Sequence, residues 1–174
     1  MLFRSANSGS LGAAWQWNPV LALSSNFAYT ERAPTFYELY SNGPHVATNA
    51  YEVGNRAFAT ERSTAIDIAL RAKAEKLSGS VSVFHNRFQN YLTLVNAGNR
   101  RGADGELNPL DANGDGIADG SGAKILRELQ YRAVPARFRG VEAEGKYRVW
   151  ADGAASLDAL LKYDQVHEIG RAHV

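Results

Sequence analysis

A chain of 174 residues, 45% hydrophobic and 21% charged, is long enough for one domain and does not require two. Its formal net charge of +1, with the basic residues scattered, excludes the clustered positive surface that tracks a phosphate backbone, so nucleic acid is not expected as a partner. The absence of cysteine excludes disulfide stapling and thiolate metal sites.

No run approaches the roughly eighteen consecutive apolar residues of a membrane helix, but a transmembrane β-barrel stays open, because its strands need only about 9–11 residues with every second one apolar. Residues 1–10 lack a basic flank followed by an apolar core and are not a secretory signal. From Leu11 the apolar side chains fall on Leu11, Ala13, Trp15 and Trp17, and after Asn18-Pro19 on Leu21, Leu23, Phe27 and Tyr29. A period of two on both sides of a Pro-containing turn predicts a β-hairpin. The next strand is the cleanest: Ile66, Ile68, Leu70 and Ala72 alternate with Glu61, Ser63, Asp67, Arg71 and Lys73. After a turn near Glu75-Lys76, Val81 and Val83 alternate with serines, and then Phe84, Phe88, Leu92 and Leu94 take the other parity, which predicts a bulge or a strand leaving its layer at the switch. Pro135 cannot donate to a ladder, so the chain before Ala136 is expected to bend or to form an edge. Beyond it, Val141, Ala143, Gly145, Tyr147 and Val149 alternate with Glu142, Glu144, Lys146 and Arg148. Leu157, Ala159, Leu161 and Tyr163 begin a sixth strand after the turn at 151–154.

Short turns near 18–20, 75–76 and 151–154 alternate with segments 31–60 and 96–124, each about thirty residues long and read as loops. Such loops count against a compact soluble domain. They suit an outer-membrane barrel, whose periplasmic turns are short and whose extracellular loops are long. Trp15, Trp17 and Trp150 all lie beside short turns, as an aromatic girdle at a lipid–water boundary requires. The ionisable row from Glu142 to Arg148 fits a water-filled lumen, although the solvent face of a soluble β-sandwich alternates in the same way.

Two loop motifs carry candidate chemistry. His45, in Asn42-Gly43-Pro44-His45, is held by a turn, and its imidazole can ligate zinc with help from Glu38 or Glu52. Zinc needs three or four ligands, so others would come from elsewhere; a turn histidine bonding its own loop is the structural alternative. In the second loop, Asp111, Asn113, Asp115 and Asp119 follow calcium-loop spacing, with Gly116 at the sharp turn. Position 12 is Gly122, so closure needs another acid such as Glu128; Asp, Asn and Gly are also ordinary turn formers. His85 and His167 lie on predicted strands, where packing or interfacial roles are expected. There is no Gly-x-Ser-x-Gly elbow, phosphate-binding glycine loop, His-Glu-x-x-His pair or cysteine nucleophile, so the chain is not read as an enzyme.

The run Glu31-Arg32-Ala33-Pro34-Thr35, then Glu38-Leu39-Tyr40-Ser41-Asn42-Gly43-Pro44-His45, Glu52-Val53-Gly54-Asn55 and Glu61-Arg62-Ser63, resembles the barrel of a TonB-dependent outer-membrane receptor. Residues 79–91 and 136–144 are similar to that family's strand pattern, so the resemblance covers nearly all of the chain. The combination of 42–45, Ala47-Thr48 and 52–55 most resembles the zinc-uptake type, although the family usually continues after Gly54-Asn55 with a proline and then a leucine, where Arg56 and Phe58 stand nearby here.

The resemblance implies an all-β antiparallel meander of about six strands, a partial segment of a 22-stranded transmembrane barrel with two long extracellular loops, in the bacterial outer membrane. It implies active import with energy from an inner-membrane TonB complex, acting through a plug domain that is not in this sequence. The expected function is capture and import of a metal ion or metal complex, zinc favoured, with outer-membrane lipid as a further partner and calcium at 111–119 the one bound ion considered. Siderophore or haem uptake, in which Tyr37, Tyr40 and Tyr51 would stack on the ligand, is the alternative within transport. A passive porin or adhesin barrel is the alternative outside it, with a soluble calcium-binding β-domain last. Residues 1–168 are read as receptor barrel; 169–174 match the translation of a common sequencing adapter, and His173 is therefore not read as a ligand. An internal piece of a longer protein is expected, one that would neither fold nor transport alone.

Overall fold

The computed structural model describes residues 5–170. Six long strands, β1 (Ser8–Gln16), β2 (Leu21–Arg32), β5 (Glu61–Lys73), β6 (Leu77–Gly102), β7 (Ile125–Ala151) and β8 (Ser156–Gly170), pair antiparallel in that order. The alternation read from the sequence is the cause, since a residue and its direct cross-strand partner share a face. Leu23, Leu70, Val81, Ala143 and Tyr163 lie in one continuous row across five strands. That apolar face is exposed throughout: Ile68 is 44% accessible and Val81 50%. Phe27, Ile66, Val83 and Leu161 extend the patch far beyond what a water-facing surface carries, as a face that meets lipid or an apolar partner does. The opposite face holds Glu142, Glu144, Lys146 and Arg148, and Asp158 there bonds both Lys146 (2.6 Å) and Arg148 (2.8 Å). The sheet is open in this chain.

The segment 31–60 is not structureless. It carries a short helix α1 (Phe36–Tyr40) and a hairpin of β3 (Asn42–His45) and β4 (Ala50–Val53), turned at Asn49 with φ 47°. β4 then joins β7 in parallel, Ala50–Val53 against Arg127–Gln130, so the loop crosses the sheet and extends its far edge. The second segment is shorter than its reading as a loop from 96 to 124, because β6 runs on to Gly102 and β7 begins at Ile125. At 26 and 27 residues these strands rise roughly 80 Å, far more than a bilayer crossing needs.

The bulge lies elsewhere than expected. Pairing of β6 with β7 is regular through Val83 and Phe84, and the register shifts between Phe88 and Tyr91, opposite Pro135. Pro135 has no N–H to give the ladder, and β6 answers with an extra residue and Asn90 at φ 57°. Phe84 and Phe88 follow an aromatic packing pattern and not a strand break: Phe88, Tyr91 and Phe138 cluster at ring separations of 5.0 to 5.7 Å, and Phe84 lies against Gly140.

Trp15 and Trp17 stack at 5.6 Å with ring planes 9° apart, and Trp150, beside Leu157, is at the same short-turn end. The buried hydrophobic side chains, by contrast, collect towards the loop end: Ala50, Tyr51, Phe58, Leu92, Ala118, Ile125, Leu126 and Ala136. The wall itself has no core of its own. Ile169 and Gly170 continue β8 beside Arg137 and Ala136, whereas 171–174, including His173, lie outside the described residues.

Candidate functional site

The loop end is assembled by three buried acidic anchors. Glu38 begins as a local device: Thr35 caps α1, the Glu38 N–H donates to Thr35 Oγ1 (3.4 Å), and the Thr35 N–H donates to Glu38 Oε2 (2.6 Å). Thr35 and Glu38 thus form a capping box about Phe36-Tyr37. Arg32 then spans two carboxylates, donating to Glu38 at 2.9 and 3.0 Å and to Glu61 at 3.1 and 2.9 Å. Glu61 also accepts the Leu92 N–H at 2.8 Å, so one guanidinium ties α1 to β2, β5 and β6. Burial opposes charge on Glu38, but the hydrogen bonds from Arg32 and the Thr35 backbone overcome it and hold the carboxyl below its usual range. The same bonds raise the Arg32 guanidinium further.

The second anchor is Glu52. It accepts from His45 Nδ1 at 2.8 Å, Thr48 Oγ1 at 2.9 Å and the Tyr131 hydroxyl at 3.5 Å. A carboxylate only accepts, so His45 donates from Nδ1, and in the neutral ring this leaves the lone pair on Nε2. The Glu52 side chain is 4% exposed and that of His45 54%, which makes Glu52 the holder and His45 the presented group. Burial, with Glu52 and Glu38 nearby, pushes the Tyr131 hydroxyl up and keeps it a donor. The hairpin is further pinned by Arg127 donating to the Thr48 carbonyl (3.2 Å) and Lys124 to Asn49 (3.3 Å).

Glu128 is the third anchor and is fully buried. Arg101 Nε donates to it at 2.6 Å and Gln130 at 2.5 Å; against the cost of burial these hold its carboxyl low. The Arg101 guanidinium also lies 5.1 Å from the Tyr51 ring centroid.

Against the sequence reading, His45 and Glu52 are brought together, and Glu38 is not among their partners, its carboxylate being taken by Arg32 and Thr35. Tyr37 and Tyr40 are exposed beside Phe36, with Arg56 5.1 Å over the Tyr40 ring. Tyr51 is 4% exposed beneath Arg101, its hydroxyl donating to Asn42, so it presents no stacking face. The acidic loop folds through its own backbone: Asp111 accepts from Gly116 N–H (3.3 Å), Asn113 from Asp115 N–H (3.1 Å), Asp115 from Ile117 N–H (2.8 Å) and Asp119 from Ala112 N–H (2.9 Å). Gly114 and Gly116 take φ 74° and 80°, as the spacing requires. Asp111 also faces Arg100 at 3.6 Å, and its buried Oδ1 has no hydrogen-bond partner. Glu128 does not close this loop, being held by Arg101. Among the described residues no three His, Asp or Glu side chains converge as a metal-ligand group. Arg32, Glu61 and Tyr131 were missed from the sequence, since their roles depend on contacts between distant segments.

The fold has clear relatives. It is similar to the siderophore receptor PirA from Pseudomonas aeruginosa (TM-score 0.56, 21% identity over 91% of this chain and 28% of that one). It is also similar to the copper transporter OprC (TM-score 0.59, 21% identity, 91% and 20%). PirA from Acinetobacter baumannii gives a TM-score of 0.53 at 16% identity, with 90% and 22% covered. The chain thus spans about a fifth to somewhat over a quarter of the length of these structures. The model of the family described as TonB dependent receptor-like, beta-barrel matches residues 3–169, and with nearly the whole chain matched it belongs to that family.

Proposed function

We propose that this chain is the part of an outer-membrane receptor that supplies barrel wall and extracellular capture surface for a metal ion or metal complex, zinc favoured, imported with TonB-delivered energy through a plug domain. The observation that supports this reading is the buried Glu52 carboxylate on Nδ1 of the half-exposed His45 ring, which keeps Nε2 available as a ligand. A carboxylate on the far nitrogen raises imidazole basicity and fixes its tautomer, as at many zinc-ligating histidines. The remaining ligands come from other parts of the receptor or from the cargo's own chelator. Relatives described as siderophore and copper receptors support metal cargo as a class. A barrel closed by further strands, 22 in all, is part of the same reading.

The test is zinc binding and uptake by the complete receptor with His45→Ala. Loss of zinc uptake with the loops still folded is the expected result; unaltered uptake removes His45 from the site. A second reading, a ferric siderophore, draws on the exposed Phe36, Tyr37 and Tyr40, which offer aromatic surface for a planar chelate. Competition between zinc and a ferric chelate separates the two. The loop at 111–119 is proposed to take calcium, because Asp111 Oδ1 is a buried oxygen with no hydrogen-bond partner and extracellular calcium sites need only millimolar affinity.

A further inference from the structure

An asparagine amide closes on the next backbone nitrogen only where that nitrogen is free and the following residue does not obstruct it, and glycine obstructs least. The sequence holds two Asn-Gly steps, Asn42-Gly43 and Asn113-Gly114, and their surroundings differ. Asn42-Gly43 lies in β3, opposite Val53 and Glu52 of β4, and Asn42 Oδ1 accepts the Tyr51 hydroxyl at 3.1 Å. Ladder and side-chain bond together hold this step extended, and ring closure would have to break both. Asn113-Gly114 is exposed on the 111–119 loop, Gly114 takes φ 74°, and a Cβ there would meet nothing within 4 Å. Asn113 Oδ1 accepts the Asp115 N–H at 3.1 Å, while Nδ2 donates to Asp115 Oδ2 at 3.0 Å. The first bond closes an Asx turn, a ring that contains both Asn113 Cγ and the Gly114 nitrogen. Among the described residues no oxygen accepts the Gly114 N–H, whereas those of Gly105 and Gly116 are taken by the Gly102 carbonyl (2.9 Å) and the Asp111 carboxylate (3.3 Å). The donor on Oδ1 draws charge from the Asn113 carbonyl, as an oxyanion-hole donor does, and the Asp115 carboxylate favours protonation of the departing nitrogen.

We infer that Asn113 is a site of self-modification, converting through a cyclic imide to aspartate and isoaspartate. The Gly114 nitrogen gives up its proton to hydroxide and bonds to Asn113 Cγ; the Cγ–Nδ2 bond breaks, and ammonia leaves with a proton taken from water. Water then opens the imide at either carbonyl. In sum water is consumed and ammonia released, with no change of oxidation state. The neutral amide separates this step from Asp115-Gly116, Asp119-Gly120 and Asp152-Gly153, because an ionised carboxylate is a poor electrophile. Either product adds a negative charge to the loop. Aspartate keeps an oxygen at the third place of the calcium spacing, whereas isoaspartate runs the main chain through Cγ, lengthens it and breaks the Asx turn. On the calcium reading above, on which this consequence alone rests, aspartate strengthens ion binding and isoaspartate weakens it.

The test incubates the complete receptor at neutral and at mildly alkaline pH in water enriched in heavy oxygen, followed by digestion at acid pH and peptide mass spectrometry. Peptides holding Asn113 should show the amide-to-acid mass change with heavy oxygen incorporated, on the order of a hundredfold faster than those holding Asn42. The rate should rise in proportion to hydroxide, and fragmentation by electron transfer should find both aspartate and isoaspartate. D115A removes the bond to Nδ2 and should slow conversion of Asn113 about tenfold, the worth of one charge-assisted hydrogen bond, while Asn42 is unaffected. Equal rates at the two asparagines, or aspartate as the sole product, overturn the inference; an unchanged rate in D115A overturns the part given to Asp115. Millimolar calcium should protect Asn113, since a coordinated amide oxygen is held away from ring closure. Conversion indifferent to calcium removes the calcium reading alone, whereas an Asn113 that stays intact without calcium removes this inference alone.

Discussion

Replacing Arg32 by Met is expected to release the 31–60 loop from the sheet. Arg32 is the shared partner of Glu38 and Glu61, whose side chains are 10% and 9% exposed, so its removal leaves two confined carboxylates uncompensated. Breaking a buried ion pair from one side costs about 3–5 kcal/mol, but Arg32 is itself 39% exposed and water screens part of the interaction. A cost of about 2–3 kcal/mol remains, equivalent to a roughly 30- to 150-fold larger open population of the loop. Hydrogen exchange by mass spectrometry on the complete receptor reads this directly. Peptides covering 36–55 should lose protection by that factor in R32M, while the β2–β5 ladder at 21–28 exchanges as before. Protection should return in part in R32M/E38Q/E61Q, where no charge is left without its partner. The pH dependence follows from the same contact. Glu38 has a depressed carboxyl, so its stabilising share is fully present above the unfolded value of about 4.3 and is lost as pH falls through the lower folded value. In R32M burial prevails, and the loss should begin at higher pH. Wild-type protection in R32M at neutral pH would refute the role given to this guanidinium.

Gly54→Ala should unseat α1, because a Cβ there comes within 2.8 to 2.9 Å of the Leu39, Tyr40 and Glu38 backbone, which cannot yield as a side-chain tip can; limited proteolysis of the loop would detect it. Glu128→Ala leaves the Arg101 charge in a buried pocket and should cost about 3 kcal/mol, lowering the apparent Tm of the loop region in calorimetry, with Glu128→Gln costing less. Asp111→Asn should abolish any calcium-dependent protection of residues 111–119; no exchange response of the wild type at millimolar calcium would leave the loop held by its turns alone.

The wall was legible because its cause is local. Alternation such as Ile66, Ile68 and Leu70 against Asp67 and Ala69 fixes which face each residue joins, and short turns at 18–20, 75–76 and 151–154 fix the order of pairing. The loops were legible as long and as chemically active, but not as folded. Attachment of β4 to β7 joins residues 77 positions apart at Ala50 and Arg127, and nothing local in Ala50-Tyr51-Glu52-Val53 announces a parallel partner. Tyr51 reads as a stacking residue until Arg101 is known to cover it. The parity change at Phe84 was real, but it marks aromatic packing toward Gly140 and Phe138, whereas the ladder shifts where Pro135 withholds a donor.

The central claim is that one face of this sheet meets lipid and the other meets water, and these 174 residues carry no cysteine to compete with a label placed on the sheet. Nitroxides placed one at a time at Val81, Ser82, Val83, Glu142 and Ala143 of the receptor in bilayers can be compared for collision with oxygen and with an aqueous nickel chelate. Positions 81, 83 and 143 should favour oxygen, and 82 and 142 the chelate. Uniform access to the chelate, or the inverse alternation, would contradict the account.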